Sequence, residues 1–151
     1  MVERSVKEQE IVLIDTNVVV KGAIDFARNV ESPEGKVWLA FLRGKLKVVF
    51  SDKLFSEAVT VARRLMGKDF ASKLRFRILK RSEVTPSSEL APYIPQFAKR
   101  VPSEDVVHAA LASAMGARYV ISNNRKFLRS LEAESGFKCL TPKSFVEAFR
   151  F

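Results

Sequence analysis

The sequence predicts one α/β domain of three layers, α/β/α, with helices on both faces of a central, mostly parallel β-sheet. Three observations carry this expectation. Short runs rich in β-branched residues alternate with longer stretches at helical spacing, the signature of βαβ units. The runs are apolar at successive positions, as strands buried on both faces require. The chain has 151 residues, 47% of them hydrophobic. That is enough to bury a core without metal or disulfide staples, and too little for two full domains. Residues 1–151 are therefore expected to form a single domain.

The elements follow in order. Ile11-Val12-Leu13-Ile14 reads as the first strand, ending at Asp15, with a helix from about Asn17. Ser32-Pro33-Glu34 supplies an N-cap, a proline at the first helical position and an early acid, opening a helix that runs through Trp38 and Phe41 to Gly44. Lys47–Phe50 is the second strand. Ser51 caps a helix whose apolar face holds Leu54, Ala58, Val61 and Ala62, stopped by Gly67. A further helix spans Lys68 to about Lys80. Ser82–Leu90 is a polar connection with room for a short edge strand. Pro92, Pro95 and Pro102 limit the next segment to a short helix. Ser103 is expected to cap an Ala-rich helix, Glu104–Met115, ended by Gly116. Tyr119–Ile121 is a strand, Lys126–Glu134 a short helix, Phe137–Leu140 the last strand and Lys143–Phe149 the last helix.

Composition narrows the function. Lys and Arg number 26 against 17 Asp and Glu, a net charge of +9. Polyanions are the natural partners, nucleic acid before membrane. Cys139 and His108 are the single residues of their kinds. An internal disulfide, a Cys-based zinc site and a multi-His metal centre are thereby excluded. A lone thiol suits a reducing cytoplasm. The segment Met1–Glu10 is charged and lacks the apolar stretch of a signal peptide. No apolar run approaches the roughly 20 residues of a membrane span.

In a parallel sheet, chemistry belongs beyond the C-terminal strand ends. Asp15 follows the first strand, and Ser51 and Glu57 follow the second. Asp105 opens the Ala-rich helix, and Ser122 and Asn124 follow the Tyr119–Ile121 strand. Carboxylates held close together repel and need a cation or protons between them. Oxygen donors with almost no His or Cys select Mg²⁺ or Mn²⁺ over Zn²⁺. Each residue also has an ordinary structural use. Asp15-Thr16-Asn17 can cap a helix, Glu104 and Asp105 can complement a helix dipole, and Glu57 can sit exposed on a helix.

The sequence resembles a PIN domain, the fold of VapC-type toxin ribonucleases and related RNA-processing nucleases. The matching pieces are Ile11–Asn17, Val49–Glu57, Asp105–Ala112, Gly116–Phe127 and Leu140–Phe145, in the family's order. The resemblance implies that Asp15, Glu57 and Asp105 are catalytic metal ligands, with Asn17, Ser51 and Ser122 beside them. It puts Asn124 where the family usually carries a fourth acid, and the basic Lys126 where a further acid is often found. Asn124 offers a neutral oxygen at best, so the metal site carries less charge than the family's pattern.

The segment Arg63–Arg81 holds eight basic residues and one acid. Arg63, Arg64, Arg75 and Arg77 there, with Arg125 and Lys126 near the site, are candidates for phosphate contacts. The same charges also suit a solvated helix face. His108 and most of the 12 Phe residues read as packing groups. The function expected is a metal-dependent endoribonuclease, with the toxin of a toxin–antitoxin pair among its forms. The alternative, prompted by Asn124 and Lys126, is a degenerate PIN-like domain that binds RNA or a protein partner without cutting. An antitoxin protein and a second copy of the chain are further candidate partners. For the latter, the apolar end Phe145–Phe151 suits either an interface or the core.

Overall fold

The first strand is the middle of the sheet, and its sequence explains why. Val12, Leu13 and Ile14 are all buried, and only a strand covered on both faces tolerates three consecutive apolar residues. The computed structural model describes residues 9–132 and 136–149. In chain order these form β1 (Glu10–Ile14), α1 (Thr16–Ala27), α2 (Pro33–Leu42), β2 (Leu46–Ser51), α3 (Asp52–Met66), α4 (Lys68–Arg81) and β3 (Val84–Thr85). A 3₁₀ segment (Ser87–Tyr93), α5 (Ile94–Phe97) and a 3₁₀ turn (Ser103–Asp105) lead to α6 (Val106–Met115). Then come β4 (Tyr119–Ile121), α7 (Arg125–Glu132), β5 (Lys138–Leu140) and α8 (Pro142–Phe149).

The strand order is β3-β2-β1-β4-β5, and every pairing is parallel. Val12 stands opposite Val48 on one side and Tyr119 on the other. The chain winds outward from β1 to β3, then returns to lay β4 on the opposite side of β1. The β1–β4 boundary is thus the switch point where a doubly wound sheet opens a crevice. Backbone bonds align the strand ends there: Asp15 N–H donates to Ile121 O at 2.9 Å, and Ser122 N–H to Leu140 O at 3.1 Å.

Local sequence sets the helix starts. Ser32 Oγ accepts from Gly35 N at 3.0 Å, and Ser51 Oγ from Leu54 N at 3.0 Å. Both are the N-caps expected. The Ser103 cap does not form. Ser103–Asp105 is instead a 3₁₀ turn after Pro102, and α6 begins only at Val106. Asp105 therefore occupies the N-cap position, with no side-chain cap bond, rather than the helix's first turn. Gly116, in the left-handed region at φ 69°, ends α6 as expected. The short edge strand expected in 82–90 is β3. The α7 helix matches expectation to Glu132; residues 133 and 134 of the expected helix lie outside the described set.

The core is built on both faces of the sheet. Phe41, Phe50, Phe97 and Phe145 are among its largest fully buried side chains. Ala109, Ala110 and Ala112 on α6 are completely covered, small enough for that helix to lie close against the sheet. Phe145 is core rather than interface, meeting Tyr119 edge-on and Phe149 in a stack at 4.3 Å. The last two residues of the apolar end, Arg150 and Phe151, lie outside the described residues.

Candidate functional site

Asp15 is placed by β1, whose last buried residue precedes it, and its carboxylate turns toward β4. Ser122 Oγ donates to Asp15 Oδ2 at 2.8 Å. Ser122 is fully buried, and its oxygen also accepts from Asn124 N at 2.9 Å. One hydroxyl thus ties the acid after β1 to the turn after β4. Glu57, exposed on the second turn of α3, accepts from Thr16 Oγ1 at 3.2 Å. Asp105, half-buried, lies 3.2 Å from Ser130 Oγ of α7, sharing that hydroxyl's single proton with Phe127 O at 2.8 Å. Each of the three acids therefore has a hydroxyl partner from a different element.

The three charges share one neighbourhood. Burial most of all, then the charge of Lys53, holds the His108 imidazole below its ordinary pKa, while Asp15, Glu57 and Asp105 each push it back up. His108 is buried against Phe127, edge to face at 5.8 Å, and its Nδ1 has no hydrogen-bond partner. Packing is its evident role. Asp105 is raised above the usual Asp value, chiefly by burial. The Ser130 hydrogen bond opposes this, Glu104 and Asp15 add to it, and His108 counters them.

The donor chemistry suits a hard divalent cation: three carboxylates, no thiol and one buried imidazole. The side chains are not gathered into a ready cage. Among the described residues, no three acidic, His or Cys groups stand close enough to hold an ion as they lie. The residues present fit such an ion by type and by shared neighbourhood.

The remaining expected residues divide. Ser51 is buried and spends its hydroxyl on the α3 cap. Asn17 is exposed on the first turn of α1. Asn124 Oδ1 accepts from both Lys126 N and Phe127 N at 3.1 Å, so it caps α7. Arg125 and Lys126 are exposed in the first turn of α7, which carries no acid. Cations there oppose the helix dipole. Arg63 and Arg64 are exposed in the last turn of α3, where cations are favoured. Arg64 lies seven residues beyond Glu57, on the same helix face and about 10 Å along the axis. Arg75 sits 5.9 Å over the Phe55 ring, and Arg77 borders a cavity of about 330 Å³ with Phe26, Trp38 and Phe70.

Sequence reasoning missed Thr16, Ser130 and Glu34. Thr16 adjoins Asp15, and that adjacency was its only signal. Ser130 had none. Glu34 reads as a favourable first-turn acid of α2. It is buried, and it also accepts from Asn123 Nδ2 at 2.8 Å, steadying the turn that holds Ser122 and Asn124.

A parallel sheet of order β3-β2-β1-β4-β5, with Asp15 and Ser122 joined across its switch point, defines the class: a PIN-like α/β/α domain. The PIN domain family model matches residues 11–126, well over half of the chain, and the chain belongs to that family. Solved structures agree on the fold. PAE2754 from Pyrobaculum aerophilum superposes with a TM-score of 0.57 at 15% identity, covering 92% of this chain and 88% of the other. VapBC2 from Rickettsia felis, solved bound to a DNA fragment from their promoter, gives 0.52 at 16% identity, covering 87% and 98%. No curated protein matches significantly.

Proposed function

We propose that this PIN domain is a metal-dependent endoribonuclease in which Asp15, Glu57 and Asp105 hold Mg²⁺ or Mn²⁺. What supports the reading is that Asp15, Glu57 and Asp105 each meet a hydroxyl from a different element, Ser122, Thr16 and Ser130. A bound divalent ion supplies an activated water and neutralises charge on the phosphate. The chain's own residues do the rest. Ser122 orients Asp15, Thr16 orients Glu57 and Ser130 orients Asp105. Arg125 and Lys126 meet phosphates at the mouth of the site, and Arg64 meets the backbone further along α3. These contacts supply salt-dependent affinity without sequence choice.

Asn124 favours a second reading. Its oxygen is committed to two backbone N–H groups, so the fourth acid has no substitute. A binder that has lost cleavage would look the same. Incubating the protein with RNA in Mn²⁺, Mg²⁺ or EDTA, beside Asp15→Asn, separates the two. Metal-dependent cutting lost in Asp15→Asn supports the nuclease. RNA binding of equal strength in EDTA and Mg²⁺, with no product, establishes the binder instead. An antitoxin partner follows from the resemblance to VapC-type toxins and is supported by the fold shared with VapBC2. The nuclease reading places the protein in the cytoplasm, where its RNA substrate is; among the described residues, no helix is long and apolar enough to cross a membrane.

A further inference from the structure

The outward face of α4 carries an unusual pair. Ala71, Leu74 and Ile78 form the buried stripe of that helix. Phe76, two residues past Leu74, lies about 200° round the helix from it and so points away from the core. Phe76 is 64% exposed and Leu79, one turn on, 43%. Lys73 and Lys80 stand three residues before and four after Phe76, on the same face. Lys80 Nζ lies 5.7 Å from the centre of the Phe76 ring. A phenyl ring this exposed, flanked by cations, has no use in the core.

Charge decides what covers it. α4 has six cations, Lys68, Lys73, Arg75, Arg77, Lys80 and Arg81, and one acid, Asp69. Among the described residues the ion pairs Lys21–Asp25 and Arg118–Glu10 lie elsewhere, and neither neutralises α4. A second copy docked on this face by a two-fold axis would set like charges against each other. The complementary occupant is a polyanion with flat apolar faces. Unpaired bases offer both, whereas duplex bases already stack on each other. α4 packs against α3, the helix that carries Glu57, with Arg75 over the Phe55 ring.

We propose that Phe76, with Leu79 and the flanking Lys73 and Lys80, is a base-stacking platform that makes this protein select single-stranded over duplex RNA. The proposal deepens the nuclease reading by naming the substrate's form and rests on that reading for RNA as the ligand. The platform takes one or two unpaired bases, while the lysines meet the adjoining phosphates.

The test measures fluorescence anisotropy of a labelled mixed-sequence RNA strand, alone and annealed to its complement, in EDTA so that no cutting intervenes. Phe76→Ala should weaken single-strand binding on the order of ten-fold. Duplex binding should change by less than about two-fold, and Phe76→Tyr should restore the single-strand affinity. Equal losses on strand and duplex, or no loss on either, would overturn the platform. So would a wild-type dimer that Phe76→Ala dissociates in sedimentation, or a loss confined to anionic lipid vesicles. The two readings fail separately. A protein that cuts RNA but binds it equally with and without Phe76 keeps the nuclease and loses the platform. One that binds single strands through Phe76 but never cuts keeps the platform and loses the nuclease.

Discussion

Asp25 is a buried acid that joins two helices. Its Oδ2 accepts from Lys21 Nζ at 2.6 Å and from Ser32 Oγ at 2.7 Å, and the same Ser32 oxygen caps α2. Burial alone would raise the Asp25 carboxyl. The hydrogen bonds from Lys21 and Ser32, with the charges of Lys21 and Arg28, outweigh it and hold the group below its usual value. A depressed folded-state pKa gives stability that is present above the ordinary carboxylate range and lost as pH falls through the folded value. Asp25→Asn should therefore destabilise by about 1–3 kcal/mol at neutral pH. In urea unfolding, its gap from the wild type should close as pH drops below about 4. A gap independent of pH would contradict the ionic role. Cys139 makes a simpler case. Burial, then the charge of Glu132, pushes its thiol up to about 11. At pH 8 the native protein should react with Ellman's reagent far more slowly than the unfolded chain.

At the scale of elements, α1 and α2 meet at a glycine. A Cβ at Gly22 would stand 2.5 Å from Glu34 O and 3.0 Å from Trp38 Cβ. Alanine normally gains about 1 kcal/mol over glycine inside a helix. Here it meets backbone that cannot rotate aside, and overpacking costs about 1–3 kcal/mol. Gly22→Ala should lower the melting temperature by a few degrees, and calorimetry checks it. A rise would mean that α2 shifts freely.

The elements also show what sequence makes legible. Ser32-Pro33 and Ser51 mark their helix starts because capping is local. Ser103 misleads because a hydroxyl before an apolar run fits a 3₁₀ turn as well as an α-helix. The acids after β1 and β2 are visible as strand-end residues. The hydroxyls that brace them are not, since Ser130 and Asp105 are 25 residues apart and Ser122 and Asp15 are 107 apart. Only tertiary structure creates such pairs. Phe76 is hidden for the opposite reason: its type predicts core, and only the helix's actual facing exposes it.

For the whole molecule, topology supplies the site. Placing β4 beside β1 brings Ser122 to Asp15, at the switch point where sheets of this kind carry their crevice. The net charge of +9 then favours approach by a polyanion. Because Asp105 is raised above the usual Asp value, chiefly by burial, acid should weaken cation binding before ordinary carboxylates protonate. On acidification, Mn²⁺ affinity should therefore begin to fall while ordinary Asp side chains are still ionised.

The most direct test of the metal centre is calorimetric titration of Mn²⁺ into the wild type, Asp15→Asn, Glu57→Gln and Asp105→Asn, with circular dichroism confirming that each is folded. The account predicts Mn²⁺ binding by the wild type, weakened at least about ten-fold in every variant. No binding by the wild type, or the same affinity in all four proteins, would contradict it.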